Sequence, residues 1–246
     1  MLDRLRYSMQ SLQVLSRTQE VISNNLANIN TAGFKKDKLF YHAMQDAVDK
    51  QDMRRVNVNQ VLNISPGEME KTGNPFDLAI DGDGFFQVEK NGQLFLTRNG
   101  RFHLDSEGYL RDENQGYVHN SGGSAVYIPE FYQSSSENEQ NHMEIAKDGT
   151  VRLNGEVVDQ IGMAKVNDLR TLERRNSSYL AVTGNGEIEP DTESTMTQGY
   201  YETGNINPLE EMTGMLTNFR LFESQQRALR TSDELLQKVT NNLGKF

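Results

Sequence analysis

The chain has 246 residues, a formal net charge of −10 and a pI near 5.0, an acidic balance that predicts no nucleic-acid partner. Its length favours one sizeable domain with extensions or two smaller domains, and it has no apolar run long enough to insert into a membrane. The absence of cysteine excludes disulfides, thiolate zinc sites and cysteine nucleophiles.

The first predicted element in chain order is an amphipathic helix over residues 3 to 29. Apolar residues recur on a seven-residue pattern from Leu5 to Ile29, and neither Gly nor Pro occurs before Gly33. Two arginines and an aspartate within the first six residues lie where a secretory leader would be apolar. We therefore expect no cleaved signal peptide, so that the chain stays inside the cell or leaves by a route that uses none.

Residues 37 to 75 show less regular patterning. The run DKLFYHAMQDAVDKQ (37–51) is compatible with a short helix, whereas VNVNQVLNISPGEMEKTGNP (56–75) predicts extended backbone. We interpret the whole interval as an extended linker arm.

A β meander is predicted from Phe76 to Asn120. Short β-rich runs alternate there with Asp-Gly and Asn-Gly turns, and Asn91-Gly92 is a strong hairpin signal. The polar stretch QSSSENEQN (133–141) predicts a loop.

Beyond that loop, residues 143 to 166 are predicted to form three more strands. The dipeptides Asp148-Gly149 and Asn154-Gly155 supply the turns between them. The interval therefore continues the β domain.

The last predicted element is a helix that begins after Asn207. Asn207 is a favourable N-cap, Pro208 suits the first helical position, and Glu210 occupies the capping-box position. Gly244 predicts the end of the helix. Between these limits an apolar residue recurs at every seventh position, at Met215, Phe222, Leu229, Leu236 and Leu243.

Three patterns that could carry chemistry have simpler explanations. DGDG (81–84) opens like a calcium loop, but Phe85 and Gly92 occupy positions that would need ligands, so we predict a tight turn. The four histidines never occur at helical metal-binding spacing, and NSGGSAV (120–126) matches neither a nucleophile elbow nor a phosphate loop. We expect no metal and no cofactor.

Paired carboxylates make an enzyme the alternative that is hardest to dismiss, because a glycosidase needs two acids and no local motif. Glu68 with Glu70, or Asp105 with Glu107, would share one face of a strand. With 35 acidic residues, however, chance pairs on solvated faces are abundant. We expect no enzymatic activity.

The two terminal helices predict assembly, because a seven-residue repeat suits packing of helix on helix better than packing of helix on sheet. Burial of six seam residues, at about 1.5 to 3 kcal/mol each, is worth roughly 10 kcal/mol that a lone helix does not realise. We expect the helices to pack on each other and on neighbouring copies. Until those partners are present, the helices should be poorly ordered.

The stretch SNNLANINTAGFKK (23–36) resembles the N-terminal signature of the bacterial flagellar rod and hook protein family, S-x-N-[LI]-A-N-x-x-T-x-G-[FY]-[KR]. Further segments match in the order that the family shows, and together they cover most of the chain. They are GEMEKTGNPFDLAIDGDGFFQV, FLTRNGRFHLDSEGYL, IAKDGTVRLNG and QGYYETGNINPLEEMTGMLTNFRLFESQQRALRTSDELL.

This resemblance implies a structural subunit of the flagellar basal-body rod. Such a subunit has a β domain on an arm and terminal helices that stack into the inner tube of a hollow, torque-transmitting shaft in the periplasm. The resemblance also implies delivery through the flagellar type III export channel.

In that setting the signature would end the tube-lining helix and turn the chain outward. Thr31 and Gly33 could form the turn itself. Asparagine side chains can bond backbone groups left free at a helix end, and the candidates are Asn24, Asn25, Asn28 and Asn30.

The resemblance leaves the member of the family open. The short arm after Phe40 favours the proximal-rod member over the distal-rod member, and the chain is too short for a typical hook protein. The segment YYETGNIN (200–207) departs from the usual L-E-x-S-N-V-N, and the loop at 133–141 fits no family pattern. A cell-wall hydrolase associated with rod assembly and an autonomous binding module remain rival hypotheses.

The sequence therefore predicts an α+β fold, mainly β, in which long N- and C-terminal coiled-coil-like helices flank a central β domain of short antiparallel strands. The predicted segments are 1–36 (helix and signature), 37–75 (arm), 76–198 (β domain) and 199–246 (C-terminal helix). The expected partners are copies of the chain, other rod proteins and the export apparatus, without nucleic acid or membrane insertion. The predicted assembly interface comprises Leu5, Leu12, Leu15, Ile22, Asn24, Asn25, Leu26, Asn28, Ile29, Gly33, Met215, Phe219, Phe222, Leu229, Leu236 and Leu243.

Overall fold

A computed structural model provides the structure of the protein and describes residues 2–45, 54–128 and 142–243. Within these ranges the chain forms two α helices and many short strands, and the strand pairs whose registers are defined are antiparallel. The fold is thus mixed α and β, as predicted. The predicted loop at 133–141 lies outside the described residues.

The helices are α1 (Leu2–Ala27) and α2 (Pro208–Leu243), and a 3₁₀ turn spans Leu169–Thr171. The strands in the first half of the chain are β1 (Asp37–Gln45), β2 (Arg54–Leu62), β3 (Met69–Lys71), β4 (Leu78–Asp81), β5 (Phe85–Lys90), β6 (Gln93–Thr97), β7 (Phe102–Leu104), β8 (Leu110–Asp112) and β9 (Tyr117–Val118). Those in the second half are β10 (Met143–Ile145), β11 (Thr150–Leu153), β12 (Glu156–Gln160), β13 (Met163–Val166), β14 (Leu172–Arg174), β15 (Leu180–Val182), β16 (Ile188–Pro190), β17 (Thr195–Gln198) and β18 (Tyr200–Glu202).

The chain divides into two compact units, each built from separate stretches of sequence. The helical unit comprises Met1–Ala27, Asp37–Val61 and Ile206–Phe246, and the β unit comprises Asn28–Lys36 and Leu62–Asn205. Each predicted segment is one continuous stretch of sequence, whereas each unit combines stretches from several predicted segments. In particular, the end of the signature belongs to the β unit.

In the helical unit, α1 contacts both α2 and β1. It ends at Ala27, two residues before the predicted end. The run after residue 37, which was compatible with a short helix and was interpreted as part of an extended arm, is extended in its described part: Asp37–Gln45 is strand β1 and pairs with β2. Aromatic-rich runs favour extended backbone when a partner strand is available, and the alternating β2 sequence supplies one.

Helix α2 begins as the sequence predicts. The Asn207 side-chain oxygen accepts hydrogen bonds from the backbone N–H groups of Leu209 at 3.1 Å and Glu210 at 3.3 Å. Pro208 is the first helical residue, and the described part of the helix extends to Leu243; the predicted end at Gly244 lies outside the described residues. The N-cap was predictable because the information is local to four residues.

The β unit contains a nine-stranded sheet, a three-stranded sheet and two strand pairs. The large sheet has the order β14-β15-β6-β5-β9-β8-β7, with β13 paired to β5 and to β16. The small sheet has the order β10-β11-β12, and the two pairs are β17-β4 and β18-β3. The segment 143–166 therefore holds four strands, one more than predicted.

Two hydrophobic cores lie inside the β unit. The larger includes Leu78, Phe86 and Val118, and the smaller is built around Phe85, Leu96 and other side chains from β6, β13, β14 and β15. These side chains alternate along their strands with more exposed residues, which is the pattern of a sheet that faces a core on one side.

The predicted turns between strands are confirmed. Asn91 and Gly92 have φ angles of 54° and 73° between β5 and β6, and Asn154 and Gly155 have 53° and 89° between β11 and β12. Two successive positive φ values are typical of type I′ hairpin turns. The DGDG stretch likewise connects β4 to β5 as a turn.

No helix in the described part of the chain is long and apolar enough to cross a membrane.

Candidate assembly site

The two helices of the helical unit meet along a seam that includes a buried amide. The Asn218 side-chain nitrogen donates to the Leu15 carbonyl at 3.0 Å and to the Gln19 side-chain oxygen at 2.8 Å. Gly214 lies one turn earlier on α2, where an added Cβ would be 3.7 Å from the Ile22 Cδ1 atom. A buried amide paired with a backbone carbonyl and a side chain favours one register of the two helices over others.

A second polar contact closes the same unit near the end of α1. The Asn25 side-chain oxygen accepts from the Asp37 backbone N–H at 3.0 Å, and its nitrogen donates to the Asp37 carbonyl at 3.1 Å. The same nitrogen lies 3.4 Å from the Glu211 carboxylate. Sequence reasoning predicted that Asn25 would bond the free end of its own helix. Instead its side-chain amide bonds both the N–H and the carbonyl of Asp37, the first residue of β1. The backbone of a paired strand would bond the same two groups.

The predicted seam residues of the helices are placed as follows. Four in α1 (Leu12, Leu15, Ile22 and Leu26) and three in α2 (Met215, Phe222 and Leu229) are half-buried. Met215 and Phe222 lie three and four positions from Asn218 and therefore share its side of α2. The side chains of Leu5, Leu236 and Leu243 lie outside those that the structure describes.

Other predicted interface residues lie elsewhere. Asn24 is exposed, and Asn28, Ile29 and Gly33 belong to the β unit. Val21, which was not predicted, is the most buried apolar side chain in the described part of α1. The buried side of α1 thus includes Val21 and Asn25 beside the half-buried seam residues.

A second apolar surface of α2 remains exposed. Leu209, Met212, Leu216 and Phe219 are between 53% and 71% accessible, and we call these four residues the α2 stripe. They follow each other at intervals of three, four and three residues, so they lie on one side of the helix, away from the side that carries Asn218. Of the four, only Phe219 was predicted as an interface residue.

In the β unit, the end of the signature forms the predicted turn. The Phe34 N–H donates to the Thr31 carbonyl at 3.3 Å, and Gly33 between them has a φ of +64°. A Cβ atom at Gly33 would overlap the backbone of Arg98 and Asn99. Glycine is therefore required here for its backbone conformation and for its lack of a side chain.

The two residues after this glycine are completely enclosed. The Phe34 ring is inaccessible to water, and the Arg174 guanidinium lies over it at 4.1 Å from the ring centroid. Arg174 also donates to the Lys35 carbonyl. The Lys35 side chain is 1% exposed, although lysine is among the residues least often buried.

Glu202 explains the burial of Lys35. One carboxylate oxygen of Glu202 accepts from the Lys35 ammonium at 2.5 Å and from the Gly67 N–H at 2.7 Å, and the other lies 3.4 Å from the Arg98 guanidinium. The Glu202 backbone carbonyl also accepts from the Gly33 N–H at 2.7 Å. One residue thus holds three distant segments of the β unit.

Two cations share this single buried carboxylate. Burial lowers the pKa of Lys35, and the charge and hydrogen bond of Glu202 offset this effect in part. Burial likewise lowers the pKa of Arg98, whose guanidinium also donates to the carbonyls of Ile80 and Gly82. Removing one partner of a buried ion pair is strongly destabilising, by about 3 to 5 kcal/mol, because an uncompensated charge remains.

Asn205 forms hydrogen bonds to the backbone of two other segments of the β unit. Its side-chain oxygen accepts from the Lys36 N–H at 2.7 Å, and its side-chain nitrogen donates to the carbonyls of Asn63 at 2.8 Å and Ser65 at 2.9 Å. Its own N–H donates to the Phe34 carbonyl at 3.1 Å. We refer to Lys35, Arg98, Glu202 and Asn205, with the backbone groups that they bind, as the junction cluster.

Two of the four carboxylates that could have suggested an enzyme have structural partners. Glu70 accepts from the Tyr201 hydroxyl at 2.6 Å. Asp105 accepts from the Arg111 side chain and from two backbone N–H groups of its own turn. Burial opposes ionisation of Asp105, but these hydrogen bonds outweigh it and lower its pKa, so this acid stays charged.

These contacts define a class of protein. The buried polar side chains of the site hold chain segments together, and four exposed apolar side chains form a stripe on α2. Both features are those of a structural subunit that completes its packing with other subunits.

Comparisons with known proteins agree with this class. Residues 5–35 match the family model "Flagella basal body rod protein", residues 79–153 match "Flagellar hook protein FlgE/F/G D1 domain", and residues 197–243 match "Flagellar basal body rod FlgEFG protein C-terminal".

Similar proteins include the flagellar basal-body rod protein FlgF of Caulobacter vibrioides, 31% identical with 94% of each chain covered. Another is FlgG of Buchnera aphidicola subsp. Schizaphis graminum, 31% identical with 98% of this chain and 99% of the relative covered. FlgG of Bacillus subtilis is 28% identical, with 90% and 92% covered.

The chain belongs to the flagellar basal-body rod protein family. It is a structural subunit of the rod and not an enzyme, which removes the hydrolase alternative.

Proposed function

We propose that the chain builds the rod by packing α1 and α2 with the helices of neighbouring subunits, in the manner of a coiled coil, so that the helices line a hollow shaft and transmit torque. The α2 stripe is the observation that carries this proposal. It shows that α2 has a second apolar side in addition to the side that meets α1.

The spacing of the α2 stripe supports a helix as its occupant. Intervals of three and four residues are those of a helix that packs into the grooves of another helix. Burying the exposed part of each side chain is worth roughly 1 to 2 kcal/mol. Four such side chains repeated at every contact in a filament provide a substantial driving force for assembly.

We propose a second copy of this chain as the occupant of the α2 stripe. In a rod of repeating subunits, the same surface recurs at every position, and a helical array satisfies it without a separate partner. Other rod proteins would bind through the same helices at the two ends of the stack of copies. The predicted interface residues Leu12, Leu15, Ile22 and Leu26 would then stabilise the pair of helices that is presented to neighbours.

We propose that this chain is a proximal-rod subunit of the FlgF type. The alignments with two FlgF relatives extend over 238 and 246 residues, close to the length of this chain, whereas two FlgG alignments extend over 272 and 274. Longer alignments against this chain reflect additional residues that it lacks. The short arm after Phe40 supports the same subtype.

We propose the periplasmic part of the basal body as the location, with delivery through the flagellar export apparatus. Helices that gain much of their stability from neighbours suit a chain that must travel unfolded before it assembles.

The assembly proposal is tested with purified full-length chain over a range of concentrations. Light scattering and electron microscopy should show wild-type particles that grow with concentration. Leu216→Asp should remain monomeric, because a charge in the α2 stripe prevents its burial. Circular dichroism should show the helix content of both proteins to be the same.

Leu221→Asp provides the matched control. Leu221 is as exposed as Leu216, at 54% against 59%, but it projects from a different side of α2. This variant should assemble like the wild type. Equal loss of assembly in both variants, or a wild-type chain that stays monomeric at every concentration, would contradict the proposal.

A further inference from the structure

The chain passes between the two units four times, after residues 27, 36, 61 and 205. On the β-unit side, the residues next to these passages are Asn28, Lys36, Leu62 and Asn205. Three of the four lie within one residue of a group bonded in the junction cluster. The junction cluster therefore lies next to three of the four passages in the sequence.

Asn205 connects three of the passages directly. Its side chain bonds the Lys36 N–H and the Asn63 carbonyl, and the Asn63 N–H donates in turn to the Lys36 carbonyl at 2.9 Å. These bonds join residues that are between 27 and 169 positions apart in the sequence. No regular sheet ladder is needed to hold them, because one amide side chain serves as donor and acceptor.

Glu202 binds the segment that enters the β unit at Asn28, at a point five residues beyond that passage. Its backbone carbonyl binds the Gly33 N–H in the turn that leads out of α1, and its carboxylate binds Lys35 and Arg98. The carboxylate must accept from every side, since its neighbours are two cations and the Gly67 N–H. Neither glutamine nor lysine can replace an anion in that position.

The cluster lies beside the smaller hydrophobic core of the β unit, because the Arg98 guanidinium lies over the Phe85 ring at 5.1 Å from its centroid. The sheet of β10, β11 and β12 contributes its buried side chains to the larger core instead. A change confined to the junction cluster should therefore loosen the passages more than it loosens that sheet.

We infer that Glu202 and Asn205 are positioning residues for assembly: they fix, relative to one another, the points at which the chain passes between the units after residues 36, 61 and 205 and the Gly33 turn of the segment that follows α1, so that these points of the β unit are the same in every copy. A rod needs this because each repeat must offer an identical surface to the next. This role differs from that of the α2 stripe. The stripe provides the apolar surface that assembly buries, whereas the junction cluster holds the chain segments of the β unit that lead to the helices.

The experiment uses two near-isosteric variants of the full chain. Glu202→Gln removes the anion, and Asn205→Asp removes the donor to Asn63 and Ser65. Hydrogen exchange should be faster by on the order of tenfold or more at the amides of Gly33, Lys36 and Asn63. Their acceptors remain in both variants, but the side-chain bonds of Glu202 and Asn205 that hold those acceptors in place are weakened. Exchange in β11 and β12 should rise less than at these three amides, because a rise there reports only the loss of overall stability.

Two exposed residues of the β unit provide matched controls. Glu173→Gln neutralises an exposed ion pair with Arg175, and Asn185→Asp makes the same chemical change at an exposed turn. Both controls should show wild-type exchange and wild-type assembly.

The second measurement is the concentration-dependent assembly described for the α2 stripe. Glu202→Gln and Asn205→Asp should assemble at least about tenfold less well than the wild type, although their stripe is intact. Unchanged exchange at the three amides, an equal rise in exchange throughout the β unit in both variants, or wild-type assembly by both would overturn the inference. Failure of the wild type itself to assemble would refute the proposed function alone, because the exchange measurement does not depend on assembly.

Discussion

In the β unit, the rings of Phe34, Phe85 and Phe86 are inaccessible to water, whereas in the helical unit Leu209 and Phe219 remain more than half exposed. The two units also differ in how they use polar groups. The β unit buries whole ion pairs, while the described helices bury two amides and one carboxylate along their seam. The β unit thus encloses its aromatic rings and ion pairs within its own fold, whereas the helical unit leaves a row of apolar side chains exposed along α2.

The sharpest way to test this contrast is to remove the same side chain from each unit. Phe34→Ala should lower the free energy of unfolding by about 3 to 5 kcal/mol, because it empties a fully enclosed site. Phe219→Ala should change it by no more than about 0.5 kcal/mol, since this ring is exposed in the isolated chain. Urea unfolding of each variant measures both values. Equal losses would show that the α2 stripe is already buried.

The signature turn offers a second, smaller effect. Gly33→Ala should cost roughly 2 to 4 kcal/mol, because the methyl group meets the backbone of Arg98 and Asn99 in addition to the strain of a positive φ. Gly92→Ala is the control, since its φ is +73° but no heavy atom lies within 4 Å of the added carbon. It should cost about 1 kcal/mol. Similar losses in thermal unfolding for both variants would mean that the signature turn does not pack tightly against the backbone of Arg98 and Asn99.

The smallest effect concerns alkaline pH. Burial, followed by the hydrogen bond to Asp112, raises the pKa of Tyr179 above its ordinary value. The folded chain therefore keeps a proton that the unfolded chain loses above about pH 10, and stability falls as pH rises beyond that point. The decrease approaches about 1.4 kcal/mol per pH unit for this group.

Tyr179→Phe should reduce that slope in urea unfolding measured between pH 10.5 and 11.5. Tyr201, whose pKa is raised by its hydrogen bond to Glu70, contributes to the slope with the same sign in both proteins. Lys35 acts in the opposite direction, because its lowered pKa makes stability rise with pH, but only up to its ordinary value of about 10.4. An identical slope with and without the Tyr179 hydroxyl would rule out this assignment.

Features that depend on a few adjacent residues could be predicted from the sequence. The N-cap at Asn207 and the hairpin at Asn91-Gly92 are examples, because cap and turn chemistry is local. The run from residue 37 was compatible with a short helix as well as with extended backbone. A short apolar segment fits both helix and strand patterns when its partner strand is not known.

The junction cluster could not be predicted in the same way. Lys35 and Glu202 are 167 residues apart, and nothing beside Lys35 in the sequence indicates that a lysine there is buried. The heptad pattern at Met215, Phe222 and Leu229 correctly indicated a helix with an apolar side. The heptad pattern did not indicate the α2 stripe, of which only Phe219 was predicted. The stripe has intervals of three and four residues on another side of the helix.

Hydrogen exchange on the isolated chain and on assembled rods provides the most direct test of the central claim. In the isolated chain, the amides of α1 and α2 should exchange much faster than those of β5 and β6, because the helices have few neighbours. In rods, the helix amides should slow by orders of magnitude while the sheet amides change little. Helices that are already protected to the level of the sheet in the isolated chain, with no further change on assembly, would contradict the account.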